Sequence, residues 1–286
     1  MKRKLQNVLP NPKLPLMRLI SSLLIGFIAF PIFGKSNKID PECTPIDRAR
    51  YKVVYTLNFI EDTINRKIKN ATTMLLIGDS ISIYGDKCLL DSDSVGYDFR
   101  RLNNGERPGP MEILPFISNI KFTYSIYKGY PEKNTMTKHD NLVGIKCYKE
   151  SIPKQNWIDT GRSKNIRGLN CKEVVSSYRG RDYVAYYCPD IPLSYGPDVF
   201  GGLPGLIMEL QDGKQEYIWN IAEFETCDYD TDHTITINLK DSEWISRDKY
   251  RDVELNFNNN PWLLNPNDES LKKFAKSKPY NPVEKY

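Results

Sequence analysis

Histidine is almost absent from this chain, and its scarcity limits the metal sites that the chain can build. Only two histidines, His139 and His233, occur among the 286 residues. A zinc site made of three histidines is therefore excluded. The six cysteines lack the paired C-x-x-C spacing of a structural zinc site. We therefore expect no metal and no cofactor.

Net positive charge is also lacking once the N-terminal segment is set aside. Residues 1–36 contain six lysines and arginines and no acidic residue, so the formal charge falls from +4 for the whole chain to −2 for the remainder. Recognition of nucleic acids or anionic membranes depends on a basic surface. The composition therefore argues against nucleic acid as a partner.

Long apolar runs are scarce, and the longest lies near the N-terminus. Residues 19–33 follow a basic leader and precede Gly34-Lys35-Ser36, which supplies the small residues of a cleavage site. This run is short for a membrane span, which needs about 20 residues. We interpret residues 1–36 as a signal peptide, with an uncleaved anchor as the alternative and Met17 as an alternative start. We expect export to the periplasm or association with the outer membrane.

Most of the remaining chain alternates apolar with polar residues, which indicates β-strands. The runs cover residues 51–59, 72–84, 122–126 and 234–239, and residues 142–148 and 157–166 show the pattern more weakly. No alternation of strands and helices of the parallel-sheet type is visible. We predict a mostly β fold over residues 37–255, either an antiparallel sandwich or an open, bowl-like half-barrel. An Asn-, Pro- and Lys-rich segment, 256–286, follows with a short C-terminal helix at 269–276 and a loose tail.

A first hairpin is predicted across Arg179-Gly180. A two-residue loop pairs Tyr178 with Arg181 and places Cys171 opposite Cys188, as a non-hydrogen-bonded pair with Cα atoms about 4.5 Å apart. That separation permits a disulfide. A loop one residue longer would turn the two sulfur atoms to opposite faces. A Cys171–Cys188 bridge is therefore one of two outcomes.

A second hairpin is predicted across Asp212-Gly213, a dipeptide that favours a type I′ turn. In that register Leu206 pairs with Trp219 and Met208 with Tyr217. Between the two hairpins, residues 189–205 form a long connection that contains four prolines and four glycines. Connections of this length are usually functional or mobile, and the prolines argue against mobility.

The end of this connection is the most constrained string in the chain. Leu203-Pro204-Gly205-Leu206 fits a type II turn, with proline at the second position and a glycine of positive φ at the third. If the connection forms a rigid lip, its exposed apolar side chains would contact a ligand or partner. The candidates for that contact are Pro197, Phe200, Leu203 and Pro204.

These residues also carry a family resemblance. The ordered set is Trp157, Gly168-Leu169-Asn170-Cys171, the stretch 180–187, Ile191-Pro192, Gly196-Pro197, Phe200 and the stretch 202–207. The chain resembles the GLPGLI family of proteins exported by Gram-negative bacteria. The resemblance implies a β-rich exported protein and carries no catalytic residue. Family members commonly have threonine where this chain has Cys188, so the bridge is not implied by the family.

A hydrolase is the main enzymatic alternative. Gly78-Asp79-Ser80 resembles the nucleophile block of SGNH esterases, and Asp230 and His233 supply a D-x-x-H pattern. In that mechanism Ser80 attacks an ester, His233 accepts its proton and Asp230 orients the imidazole. No G-x-N-D block is present to complete an oxyanion hole, and the chain between these residues is β-rich.

The residues together favour a non-enzymatic binding or accessory module of the bacterial envelope. Its partner would be an envelope protein or a small ligand. An SGNH-like esterase and a structural subunit of an outer-membrane assembly are the alternatives.

Overall fold

One large antiparallel sheet dominates the fold. The computed structural model describes residues 43–285 except for 104, 107, 143, 228–232, 265–266, 268, 270–271 and 273–278. Strands make up 46% and helices 19%, which confirms the mostly β prediction. The predicted signal peptide and six of the eight residues of the predicted helix at 269–276 lie outside the described residues.

The described residues form fourteen strands. They are β1 Cys43–Arg48, β2 Tyr51–Ile60, β3 Ile68–Ile77, β4 Ser82–Asp86, β5 Tyr124–Lys128, β6 Thr135–Asn141, β7 Ile145–Ser151, β8 Ile158–Ile166, β9 Leu169–Tyr178, β10 Arg181–Cys188, β11 Leu206–Asp212, β12 Tyr217–Thr226, β13 Thr234–Asn238 and β14 Glu243–Trp244. Twelve of them form an open sheet in the order β14-β7-β6-β5-β4-β3-β2-β12-β11-β10-β9-β8, and β1 pairs with β13 in a second sheet. All pairs are antiparallel except β14 with β7.

Three α-helices that the sequence pattern did not predict join these strands. They are α1 Lys87–Leu102, α2 Pro110–Ile117 and α3 Arg247–Asn259. The Asp86 carboxylate caps α1 by accepting from the Cys88 amide at 2.8 Å, and the Ser246 hydroxyl caps α3. Such side-chain acceptors satisfy amides that have no partner within the helix.

The two faces of the central strands are covered by different parts of the chain. Val53, Tyr55, Leu57 and Phe59 lie on what we call the inner face, together with most of the buried aromatic residues, and this alternation confirms the pattern predicted for β2. On the other face, residues of β3 and β4 pack against α1 and the β1–β13 pair. Both faces are therefore buried, which explains the continuous apolar run at the end of β3, residues 74–77.

The predicted strand at residues 72–84 is in fact two strands joined by a tight turn. β3 ends at Ile77 and β4 begins at Ser82. Asp47 holds the turn, because its Oδ2 accepts from the Ser80 and Ile81 amides, each at 2.8 Å. This contact joins residues more than 30 positions apart, so no local pattern reveals it.

Both predicted hairpins are present, but only the first has the predicted register. Arg181 pairs with Tyr178 as expected. In the second hairpin Leu210, not Leu206, pairs with Trp219. The Asp212 carboxylate accepts from the amides of residues 216 and 217, which lengthens the loop to four residues. The register shift is an even number of residues, so the same side chains still face inward.

Candidate functional site

The loop at residues 189–205 packs into the inner face of the sheet. Phe200 is fully buried. Its ring centre lies 4.5 Å from that of Tyr183 and 5.8 Å from that of Tyr178, both at tilted or edge-on angles. Such aromatic pairs add to the free energy gained by burial alone. The loop therefore supplies part of the hydrophobic core.

This packing corrects the expectation of an exposed lip. Pro197, Phe200 and Leu203 are all buried, and Pro204 alone of the four candidate contacts is exposed. The prediction that the first three are exposed is wrong. Its physical reason is that burying a large apolar side chain stabilises the fold by about 1.5–3 kcal/mol, and the open sheet offers space for them.

The Gly-Leu-Pro-Gly-Leu string does not form the predicted type II turn. The positive φ, +78°, belongs to Gly202 rather than Gly205, and the Leu206 amide donates to the Ile191 carbonyl at 2.9 Å. Gly205 is required for a different reason. A Cβ atom at this position would lie 2.2 Å from the carbonyl oxygen of Cys188. The glycine therefore permits close approach of two backbones.

Side chains from other elements hold the loop by its backbone carbonyls. The ammonium group of Lys128 on β5 donates a hydrogen bond to the Phe200 carbonyl at 2.8 Å. The Trp157 indole nitrogen donates to the Gly201 carbonyl at 2.9 Å. Burial lowers the pKa of Lys128 to about 8, with the Asp198 carboxylate opposing that change. The lysine thus anchors the loop at an electrostatic cost that depends on pH.

A cavity of about 310 Å³ lies beside this loop. Residues of β5, β6, β7, α3 and the segment 279–285 line it. Its aromatic wall consists of Phe122, Tyr124, Tyr148, Tyr217, Tyr250, Phe257 and Tyr280. A concave cavity of this size, lined by both aromatic and charged side chains, suits a small ligand. It is therefore the best candidate for a functional site in the described chain.

Lys138 on β6 places a positive charge in the cavity. Its Nζ lies 4.1 Å from the centre of the Tyr124 ring and 4.8 Å from that of Tyr250. Within the described residues its ammonium has these ring contacts but no hydrogen bond or ion pair. Burial lowers the pKa of Lys138, but carboxylates led by Glu254 outweigh that effect and raise it overall.

Five carboxylates line the cavity. Three of them, those of Asp140, Asp198 and Glu254, each accept a hydrogen bond from a tyrosine hydroxyl of the cavity wall. The O···O distances are 2.5 Å for Tyr250 to Asp140, 2.8 Å for Tyr124 to Asp198 and 2.5 Å for Tyr280 to Glu254. Burial raises the pKa of Asp198. Lys121, Arg247 and Arg251 also line the cavity, so the formal charges of its wall nearly cancel.

Residues 279–285, which we call the strap, form one wall of the cavity. The Tyr217 hydroxyl donates to the Asn281 carbonyl, and the Tyr183 hydroxyl donates to the Val283 carbonyl, each at 2.6 Å. The expectation of a loose tail is therefore wrong. Tyrosine hydroxyls from the sheet hold the strap, which does not pair with any strand.

Glu284 fastens the end of the strap. Its carboxylate accepts from Arg179 at 2.8 Å, from Arg247 at 3.0 Å and from the Tyr178 hydroxyl at 2.9 Å. Burial raises the pKa of Glu284, but the two guanidinium groups outweigh burial and lower it. Charge-assisted bonds of this kind are stronger than neutral ones.

Two of the three esterase residues, Ser80 and His233, are among the described residues. Ser80 is exposed in the turn between β3 and β4. His233 lines a separate cavity of about 210 Å³ whose walls include Asp91 but not Ser80. Asp230 lies outside the described residues. Ser80 lines neither this cavity nor the one beside Lys138.

Cys171 and Cys188 are fully buried neighbours on β9 and β10. Their strands pair in the predicted register up to Tyr187 with Lys172, the adjacent positions. Burial first, and then the Cys188 thiol, raise the pKa of Cys171 to about 12. Both residues are present as free thiols, so the bridge stays a prediction.

Sequence reasoning missed the residues that shape the cavity. Lys138 on β6 pairs with Ile126 on β5 and with Tyr148 on β7. Both of these neighbours are buried. A lysine among inward-facing apolar positions is a signal that a known strand register would have revealed. The pattern of β6 alone does not show it, since this strand is mostly polar.

The described residues contain neither a candidate metal site nor a helix that could span a membrane. Across residues 43–285 with the gaps stated above, His, Cys, Asp and Glu do not group in threes in a way that could hold a metal ion. In the same part of the chain, every helix is too short or too polar to cross a bilayer.

Comparison with known proteins identifies a related region but no activity. Residues 127–209, less than half of the chain, match a family described as "Protein of unknown function (Porph_ging)". No curated protein matches. Two solved structures of PNGF-II, in space groups P21 and C2, each align with 71% of this chain at 14% identity and a TM-score of 0.46. This chain spans 32% of each PNGF-II chain.

Proposed function

We propose that this chain is an exported, non-enzymatic binding module of the bacterial envelope, of the GLPGLI type, with its ligand in the cavity beside Lys138. The N-terminal pattern of residues 1–36 supports export to the periplasm or the outer membrane. The GLPGLI-like string lies within the region matched by the family of unknown function. The resemblance and the match support the family and leave the ligand open.

The observation that carries the proposal is an ammonium without a hydrogen bond or ion pair among the described residues, in a cavity that aromatic side chains help to line. A buried or half-buried charged group normally has a hydrogen-bond partner, because its desolvation is costly. Lys138 has two tyrosine rings around it and no acceptor among the described residues. A bound ligand would supply the missing acceptors. The loop at 189–205 then serves as the packed floor beside the cavity.

Blocking the cavity tests this function. Leu142 lines the cavity, and Leu142→Trp would fill it. Leu255 on α3 is 40% exposed and does not line it, so Leu255→Trp is the matched control. The probes are glucose, acetate and methylammonium, titrated by calorimetry. Binding of at least one probe that Leu142→Trp abolishes and Leu255→Trp retains supports the proposal. No binding by any probe, or binding unaffected by Leu142→Trp, overturns it.

A further inference from the structure

The charges around Lys138 indicate which class of ligand the cavity accepts. Asp140, Asp198 and Glu254 raise the pKa of Lys138 through their charges, and tyrosine hydroxyls rather than cations satisfy them. The cavity wall carries four cationic side chains, those of Lys121, Lys138, Arg247 and Arg251, and five carboxylates, those of Glu61, Asp140, Asp198, Glu254 and Glu284. Their formal charges nearly cancel. An anionic ligand and a cationic ligand would therefore each meet like charges in the wall.

A neutral ligand avoids both conflicts, and the hydrogen-bonding groups define its chemistry. Lys138 presents three N–H donors that need acceptors. The carboxylates use one lone pair per bonded oxygen and retain capacity to accept from further donors. A ligand with many hydroxyl groups supplies both kinds of partner in a small volume. Amides and simple ethers supply fewer donors for the same number of atoms.

The aromatic wall adds a requirement for an apolar face. Phe122 lies beside Tyr124, with ring centres 5.7 Å apart, and Tyr148 lies beside Tyr250 at 5.1 Å. These two aromatic pairs line the same cavity. Pyranose rings carry C–H groups on one face and hydroxyl groups at the edge, which matches aromatic rings next to polar atoms.

We propose, on the basis of the proposed function, that the ligand is a neutral saccharide whose hydroxyl oxygens accept hydrogen bonds from Lys138 and whose ring packs against the tyrosine wall. Lys138 recognises the sugar as a hydrogen-bond donor. The Asp140 and Asp198 carboxylates accept from sugar hydroxyls. The strap closes the site from the side of Tyr280.

A charge series on the unaltered chain tests the ligand class without relying on any variant. The probes are glucose, galactose and N-acetylglucosamine as neutral sugars, glucuronate as the matched anion and glucosamine as the matched cation. We expect at least one neutral sugar to bind by calorimetry, and glucuronate and glucosamine to bind at least tenfold more weakly. Tighter binding of glucuronate, acetate or glucosamine than of every neutral sugar overturns the saccharide while leaving the proposed function intact.

Two lysine variants separate hydrogen bonding from charge. Lys138→Gln keeps donors and removes the charge, so sugar affinity should fall less than tenfold. Lys138→Met removes the donors and should reduce affinity more than tenfold, whereas Lys149→Met, an exposed lysine on β7, should leave it unchanged. Equal affinity in Lys138→Met and the unaltered chain overturns the role of Lys138. Circular dichroism and the melting temperature establish that each variant is folded.

Discussion

A Cβ atom on Gly205 would lie 2.2 Å from the carbonyl oxygen of Cys188, so β11 begins in direct backbone contact with the end of β10. The obstructing atom belongs to the backbone and cannot rotate away. Overpacking usually costs about 1–3 kcal/mol, and we expect Gly205→Ala to reduce the free energy of unfolding by about 3 kcal/mol. Urea denaturation measures this change.

Gly202 provides the matched control for Gly205. It has a φ of +78°, and a Cβ atom added there would meet open space. Gly202→Ala should therefore reduce the free energy of unfolding by about 1–2 kcal/mol, which is the cost of placing alanine in the left-handed conformation. A larger loss for Gly202→Ala than for Gly205→Ala would show that backbone conformation, not close approach, explains the glycines of this string.

Phe200 and Pro204 test whether the loop acts through packing. Phe200→Ala removes a fully buried ring and should reduce the free energy of unfolding by about 3–5 kcal/mol. Pro204→Ala changes an exposed side chain and should alter the free energy of unfolding by no more than about 0.5 kcal/mol. Chemical denaturation of both variants decides the question, and a near-neutral Phe200→Ala would contradict core packing of the loop.

Lys128 should make stability depend on pH in the alkaline range. Burial lowers its pKa from 10.5 to about 8, so between these values the unfolded chain binds more protons than the folded chain. The free energy of unfolding therefore rises with pH in this window, by roughly 3 kcal/mol for this group. Denaturation from pH 7.5 to 10.5 should show this rise relative to Lys128→Met. The same comparison with Lys149→Met, an exposed lysine, should show none.

Glu284 should stabilise the strap above the acidic range. Burial raises its pKa, but Arg179 and Arg247 lower it below 4.5 overall. A carboxylate of lowered pKa stabilises the fold above its unfolded pKa, and the contribution disappears as pH falls through the folded value. Glu284→Gln should reduce the free energy of unfolding by about 1–3 kcal/mol at pH 7. The difference between the variant and the unaltered chain should shrink below pH 4.5.

Glu243 is the control for Glu284. It pairs with Lys146 at 2.6 Å, but its side chain is 50% exposed. Glu243→Gln should therefore reduce the free energy of unfolding less than Glu284→Gln does, as expected for a surface ion pair. If both glutamine variants lose the same stability at pH 7, the strap is not held by the Glu284 contacts.

Cys171 and Cys188 should form a disulfide when the purified chain is oxidised with glutathione disulfide. Each thiol loses one hydrogen as glutathione disulfide is reduced to two glutathione molecules. A bridge that closes a loop of this size should stabilise the chain by about 3 kcal/mol. Non-reducing peptide mass spectrometry identifies the linked peptides, and Cys88→Ser should keep the link. Two free thiols after oxidation would exclude the bridge.

Local patterns were sufficient for much of the sheet. The alternation in residues 51–59 predicts β2 and its inward face, because side chains alternate across a strand. Arg179-Gly180 predicts the first hairpin and its register, because both residues adopt the positive φ that a tight turn needs. In these cases the determining interactions lie within a few residues of each other.

The same patterns failed where a distant partner decides the outcome. Asp47 interrupts the predicted strand at residues 72–84 by binding the turn amides. Asp212 lengthens the second hairpin loop because Arg181, on the neighbouring strand, holds its carboxylate at 2.9 Å. Neither carboxylate differs in local sequence from an ordinary solvent-exposed one.

The amino-acid sequence by itself determined the mostly β class, the first hairpin and the special status of the Gly-Leu-Pro-Gly-Leu string. Only the tertiary structure decided that Gly205 permits close approach to the Cys188 backbone. It also decided that Phe200 packs in the core and that Lys138 lines a cavity with aromatic side chains. The physical reason is that turn conformation and strand alternation are local properties of the chain. Burial, charge environment and backbone approach depend on which distant strands become neighbours.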